Sequence, residues 1–204
     1  TLFGKGDRFY TLLESSAGAA RESAQALQAL LEAHGEPMLL DSFRAARRRE
    51  KDLAAQISEA LVNTFVTALD REDIEAMSSA LYRIPKTIEK FAERYVIVSK
   101  RVEGIDFASR ASLLMSATGA VVEMVSELRN GMNIARMRKL QDRLQATESE
   151  ADRLLLVPYR DLYLGSDDPI RALLAKDLFE LMEKAIDRCR DVGNVIYSIV
   201  LKNS

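Results

Sequence analysis

The chain has almost none of the residues on which hydrolases and redox enzymes build their chemistry. Of 204 residues one is histidine, His34, one is cysteine, Cys189, and tryptophan is absent. A lone cysteine excludes an internal disulfide framework and suits a reducing compartment. A single histidine rules out the ferritin-like di-metal pattern, which needs Glu-x-x-His on two helices. It also leaves no Ser-His-Asp or Cys-His pair unless His34 serves, and Cys189 falls in an apolar stripe far along the chain, the place for an inert core thiol. Gly4-Lys5-Gly6 lacks the strand, spacing and hydroxyl of a phosphate loop. Alternating strand patterns and Asn-Gly hairpins are missing, so no sheet is expected.

Charge of one sign is missing as well. Twenty-nine basic residues face 31 acidic ones for a net −2, which gives no overall field to draw nucleic acid or anionic lipid. The run Arg47-Arg48-Arg49-Glu50-Lys51 is interrupted by an acid and has no aromatic platform beside it, so nucleic acid is set aside. No apolar run approaches the length that spans a bilayer, and the opening stretch carries charge too early for a signal peptide. The expectation is a cytoplasmic protein, and a hydrophobic content of 48% over this length suffices for one good core or two small ones.

What is present is helical rhythm. Met77, Leu81, Ile84, Ile88, Phe91, Tyr95 and Val98 alternate steps of three and four, which predicts a helix over 71–100. The same rhythm at Leu178, Met182, Ala185, Cys189, Val192, Ile196 and Ile199 predicts another over 168–202, with Pro169 in its first turn. His34-Gly35-Glu36-Pro37 stops one helix, 7–34, and starts the next, 37–68. Asp106 can cap a fourth that Asn130-Gly131 closes, and a fifth runs from about 133 to 164. Pro85 and Pro158 lie inside helices and should kink them. Met115, Met124, Met132 and Met137 read as core filler. The fold class is all-α: six long helices as two tandem three-helix bundles, divided near Gly104 into units 1–103 and 104–204.

The division gains meaning at an offset of 101 residues. Leu53 falls on Leu154, Leu61 on Leu162, Leu81 on Met182, Ile84 on Ala185, Ile88 on Cys189, Phe91 on Val192 and Tyr95 on Ile196. Apolar phase is kept while identity is not, which points to internal duplication. At the same offset Glu148 falls on Arg47, Asp152 on Lys51, Glu183 on Tyr82, Asp187 on Lys86 and Asp191 on Lys90. Four-residue spacing places carboxylates on one helical face. If the fifth and sixth helices pack side by side, five hard oxygen donors converge as a multivalent cation requires. A plain solvated face is the competing reading, although like charges at i and i+4 repel by a few tenths of a kcal/mol. Lys86, Lys90, Arg47 and Lys51 can form a small anion site or pair with carboxylates of a second molecule, against an ordinary surface as the alternative.

Several segments together carry a family resemblance. Asn63-Thr64-Phe65-Val66-Thr67, Asp70-Arg71-Glu72-Asp73-Ile74, Glu148-Ser149-Glu150-Ala151-Asp152-Arg153 and the stretch from Ala185 to Ile196 resemble the PhoU-like family of Pit accessory proteins, as do Leu2-Phe3-Gly4 and Phe9-Tyr10-Thr11-Leu12. The resemblance implies a fold of two three-helix bundles and a cytoplasmic, non-enzymatic role beside a low-affinity inorganic phosphate transporter. It also implies metal ligands at Glu148, Asp152, Glu183, Asp187 and Asp191, in the second half only, for Fe, Mn, Mg or Ca. Where relatives carry acids, Arg47, Lys51, Tyr82 and Lys86 stand here, with Lys90 beyond them, so the first half holds a basic counterpart. A homo-oligomer is expected. The alternative reading is a self-associating structural bundle whose acidic and basic patches pair without metal.

Overall fold

A computed structural model describes residues 3–34 and 39–204. Among them are six helices and no strand: α1 (Phe3–Glu32), α2 (Leu40–Asn63), α3 (Arg71–Val98), α4 (Ala108–Arg129), α5 (Ile134–Tyr163) and α6 (Pro169–Lys202). The expected all-α class and helix count hold, with shifted ends. Gly4 and Gly6 fall inside α1 rather than in a loop. Residues 35–38 lie outside the described residues, so the predicted stop and start at Gly35-Glu36-Pro37 is not seen; His34, just before them, has φ +52°.

Local chemistry sets most of the ends. Asp106 accepts the Ser109 backbone N–H at 3.0 Å, Asn133 that of Arg136 at 2.9 Å, and Asp168 that of Arg171 at 3.0 Å, each satisfying a donor left bare by the first turn of a helix. Pro169 follows Asp168 where its missing N–H costs nothing. The turns out of α3 and α4 need a left-handed residue, supplied by Gly104 (φ +82°) and Gly131 (φ +107°).

One expectation fails. α2 ends at Asn63 instead of running to 68, because the Arg71 guanidinium donates to the Leu61 and Thr64 carbonyls and clasps the end of the helix. α3 runs on through Pro85 and α5 through Pro158, and both residues are buried.

The helices share one core. α2 packs on α1 and α3, α5 packs on α4 and α6, and the two triplets meet through α1 against α4 and α3 against α6. Ion pairs fix the direction of the second contact. Arg101 after α3 meets Asp168 at the start of α6 (3.2 Å), while Lys202 at the end of α6 meets Asp73 at the start of α3 (2.8 Å). α3 and α6 are therefore antiparallel, and the α2–α3 and α5–α6 turns lie at opposite ends of the molecule. Every apolar α3 position named for the offset of 101, from Leu81 to Tyr95, is buried, and so is its apolar α6 counterpart from Met182 to Ile196.

α4 corrects one sequence reading. Over 22 residues it is long and apolar enough to cross a membrane, contrary to the expectation that no run approaches that length. Ala111, Leu114, Ala117, Val121, Met124 and Val125 spend that hydropathy on the core between α1, α5 and α6.

Candidate functional site

Helix packing decides which of the predicted acids meet. α5 and α6 approach closely because Gly193 has no side chain: a Cβ there would stand 2.5 Å from Gln141 Oε1 and 2.5 Å from Leu144 Cδ1. One turn along the same interface, Glu148 of α5 and Glu183 and Asp187 of α6 bring carboxylate oxygens within 4.8 Å of one another. Burial and the charges of Asp187, Asp152 and Glu148 raise the Glu183 pKa above the usual carboxylate range, against a smaller pull from Arg190. Asp152 is exposed and acts on the group through its field, not as a member. Asp191 turns away to Arg188, at 2.8 Å, so the fifth predicted ligand is not brought in.

Arg190 was not anticipated. Its guanidinium reaches Glu148 at 3.0 Å and Asp187 on the turn before it, and so lies across the acidic group as a resident cation. Three carboxylates with Asp152 nearby suit a hard cation, since hard ions take oxygen donors. Arg190 competes for two of the three.

The first-half residues form the reverse arrangement. Arg47 of α2 meets Glu89 of α3 at 3.1 Å, donates to the Tyr82 hydroxyl at 3.1 Å, and stacks 4.6 Å from its ring centre. Arg47 and Glu148 are 101 residues apart, and so are Glu89 and Arg190. Each triplet thus carries one ion pair between its second and third helices at matching positions, with the polarity exchanged. Tyr82, matched to Glu183, has its pKa lowered by the Arg47 hydrogen bond and by Arg47, Lys51 and Lys86. Matching the acids alone missed this. The same offset applied to Arg190 lands on Glu89 and would have found it.

Lys86 and Lys90 do not join Arg47. They lie farther round α3, on the side next to α6, and with Arg83, Arg94, Lys184 and Arg188 line a groove of about 420 Å³. Lys51 stays exposed on α2.

Among groups suited to nucleophilic chemistry, Cys189 is fully buried and burial pushes its thiol far above the ordinary value. His34 sits past the end of α1.

Comparisons with known proteins agree with this architecture. No family model matches the chain. It is 25% identical over 99% of its length, and 96% of the relative's, to a Rhizobium meliloti protein named "Putative pit accessory protein". It is 23% identical over 71% of its length, and 70% of the relative's, to the UPF0111 protein YkaA of Bacillus subtilis. Two solved structures from Shewanella oneidensis share the fold at 14% identity. One is a PhoU-like protein (TM-score 0.81, covering 95% of this chain and 96% of that one). The other is described as a "putative PhoU-like phosphate regulatory protein" (TM-score 0.76, covering 95% and 99%). Over essentially its whole length, then, the chain resembles the PhoU-like proteins in fold and a Pit accessory protein in sequence.

Proposed function

We propose that this chain is a non-enzymatic accessory protein of inorganic phosphate transport, which docks its helical surface on the cytoplasmic face of a low-affinity phosphate transporter and regulates it. The observation that carries this reading is the full-length likeness to the Rhizobium protein named for that role. The PhoU-like fold and the inert placement of Cys189 support it. No bond is made or broken. The two units, 1–103 and 104–204, are copies of one ancestral triplet, a reading supported by matched burial and matched ion pairs at one offset.

The second unit holds a hard cation, Fe, Mn, Mg or Ca, through Glu148, Glu183 and Asp187, with Asp152 adding charge and Arg190 yielding its place. Such an ion ties α5 to α6 and presents positive charge to a partner. Asp191 is left out because Arg188 engages it.

The test is phosphate uptake by cells with and without the protein, together with co-purification of the transporter. Altered uptake and a retained transporter are expected. Unchanged uptake with no transporter retained overturns the assignment.

One observation favours a second reading. α6 displays acids toward α5 at Glu183 and Asp187, and bases toward α3 at Lys184 and Arg188, so a single molecule offers both halves of a self-complementary contact. A homo-oligomer built this way needs no metal and dissociates in salt. Chelator-resistant oligomers that dissolve in salt support this alternative.

A further inference from the structure

We infer that the groove between α3 and α6 binds an extended phosphoryl anion, several phosphoryl groups in a row, at a site distinct from the carboxylate cluster. Four cations of α3, Arg83, Lys86, Lys90 and Arg94, and two of α6, Lys184 and Arg188, line it with Thr87 and Leu181, and no carboxylate or aromatic side chain is among the lining residues. Arg188 is paired with Asp191. The other five make no ion pair among the described residues.

This concentration of one sign is costly by itself. Lys86 and Lys90, Lys90 and Arg94, and Lys184 and Arg188 are i,i+4 neighbours of like charge, and each such pair costs a few tenths of a kcal/mol. Elsewhere on the molecule several arginines are neutralised: Arg47, Arg49, Arg129, Arg143 and Arg190 reach carboxylates. In the groove only Arg188 does so, and five cations stand together without a carboxylate, although the chain holds more acids than bases.

The offset of 101 residues shows where the charge comes from. Arg83 matches Lys184, and both line the groove, one from each antiparallel helix. Lys86 and Lys90 match Asp187 and Asp191, so the exchange of acids for bases in the first half leaves the groove with a single sign. What reads as the loss of one cation site is also the construction of an anion site.

Shape selects among anions. From Arg83 to Arg94 the cations follow one face of α3 over roughly 16 Å, at 1.5 Å per residue. That length exceeds a single orthophosphate and suits a chain of them. Ammonium and guanidinium donors match phosphoryl oxygens, and the absence of aromatic side chains leaves nothing on which a nucleic-acid base can stack. A concave channel between two helices accepts a chain better than it fits a flat lipid surface. Nothing in this groove depends on a transporter, so failure of phosphoryl binding leaves the accessory role standing, and the reverse.

The experiment is calorimetric titration of the full chain at low and moderate salt with orthophosphate, tripolyphosphate and longer linear polyphosphate. Vesicles of phosphatidylglycerol and of phosphatidylcholine are tested in sedimentation. Affinity should rise with the number of linked phosphoryl groups and fall with salt. Lys86→Ala with Lys90→Ala, and Lys184→Ala alone, should each weaken polyphosphate binding by about tenfold or more per cation, the worth of one charge-assisted hydrogen bond. All three side chains are exposed, and circular dichroism checks the fold of each variant. Wild-type affinity in both variants overturns the assignment. So does binding to anionic vesicles without binding to soluble polyphosphate, which makes the groove a membrane contact. Salt-sensitive dimers abolished by Lys86→Ala with Lys90→Ala, with no polyphosphate binding, overturn it in favour of a second copy of the chain.

Discussion

Tyr82 on α3 and Glu183 on α6 occupy matching positions, and their surroundings push them in opposite directions. The Arg47 hydrogen bond, with the fields of Lys51 and Lys86, holds the Tyr82 hydroxyl below its usual pKa, while burial and three neighbouring acids hold Glu183 above its own. The scaffold around them is shared: each has a buried apolar seam behind it and one ion pair between second and third helices. A helical triplet therefore fixes where charge is displayed and leaves its sign free. Sign then decides what class of ligand each half can take.

The most consequential asymmetry lies behind the ion pairs. Glu50 on α2 is buried against Ser16 of α1, which donates to one of its oxygens, and the other oxygen has no partner. Its match in the second half is Ala151, buried and apolar. Desolvation lifts the Glu50 pKa from 4.5 to about 7, against the Ser16 hydrogen bond and the charges of Arg47 and Arg49. A carboxyl raised on folding binds more protons folded than unfolded. Stability therefore falls as pH rises from 4.5 to about 7 and levels off above. The full penalty is roughly 3 kcal/mol by linkage. Replacing Glu50 by Gln should make the first half behave like the second. Urea unfolding should show about 2 kcal/mol of added stability at pH 8, little change near pH 4.5, and a flattened profile between, after allowing for the amide's own unpaired group. A variant that keeps the wild-type pH slope breaks this contrast.

The exchanged ion pairs offer the next test. Arg47→Glu alone sets two acids together and should destabilise by about 1–2 kcal/mol. Adding Glu89→Arg gives the first half the polarity of the second, and a double-mutant cycle should recover about 1 kcal/mol of coupling. Additive effects would mean that the matched positions are not equivalent in their contacts.

Arg190→Gln sharpens the comparison on the other side. With the guanidinium gone, Glu148 and Asp187 lose their shared cation and Glu183 loses the one charge that lowers its pKa. Mn affinity measured by titration should rise by about tenfold. A fall would make Arg190 part of the cation site instead of its competitor.

The smallest effect is expected at the exposed α2–α3 turn. Phe65 is 97% exposed, so Phe65→Ser should alter stability by no more than about 0.5 kcal/mol.

Much of this was legible in the chain. The seams of α3 and α6 are read directly, because burial on one helix face leaves a period of three and four. Helix ends were harder: Phe65 and Val66 extend the apolar rhythm past Asn63, and nothing local announces that Arg71 will close on the carbonyls before them. The convergence of Glu148, Glu183 and Asp187 follows from spacing once α5 and α6 are neighbours. Asp191 was misplaced because one further turn carries a side chain round the helix to where Arg188 waits. Arg190, Glu89 and the groove depended on which basic side chain faces which neighbour. Each has a match at the offset of 101, yet only the packing shows that Lys86 looks toward α6 and Arg47 toward α3.

The most direct test is to write the second half's charges into the first, as Arg47→Glu, Lys51→Asp, Tyr82→Glu, Lys86→Asp and Glu89→Arg together, and to titrate this variant with Mn and with tripolyphosphate beside the wild type. Equivalence of the halves predicts a folded protein that gains one Mn site and binds tripolyphosphate at least about tenfold more weakly. A folded variant with unchanged Mn stoichiometry and wild-type tripolyphosphate binding would contradict it.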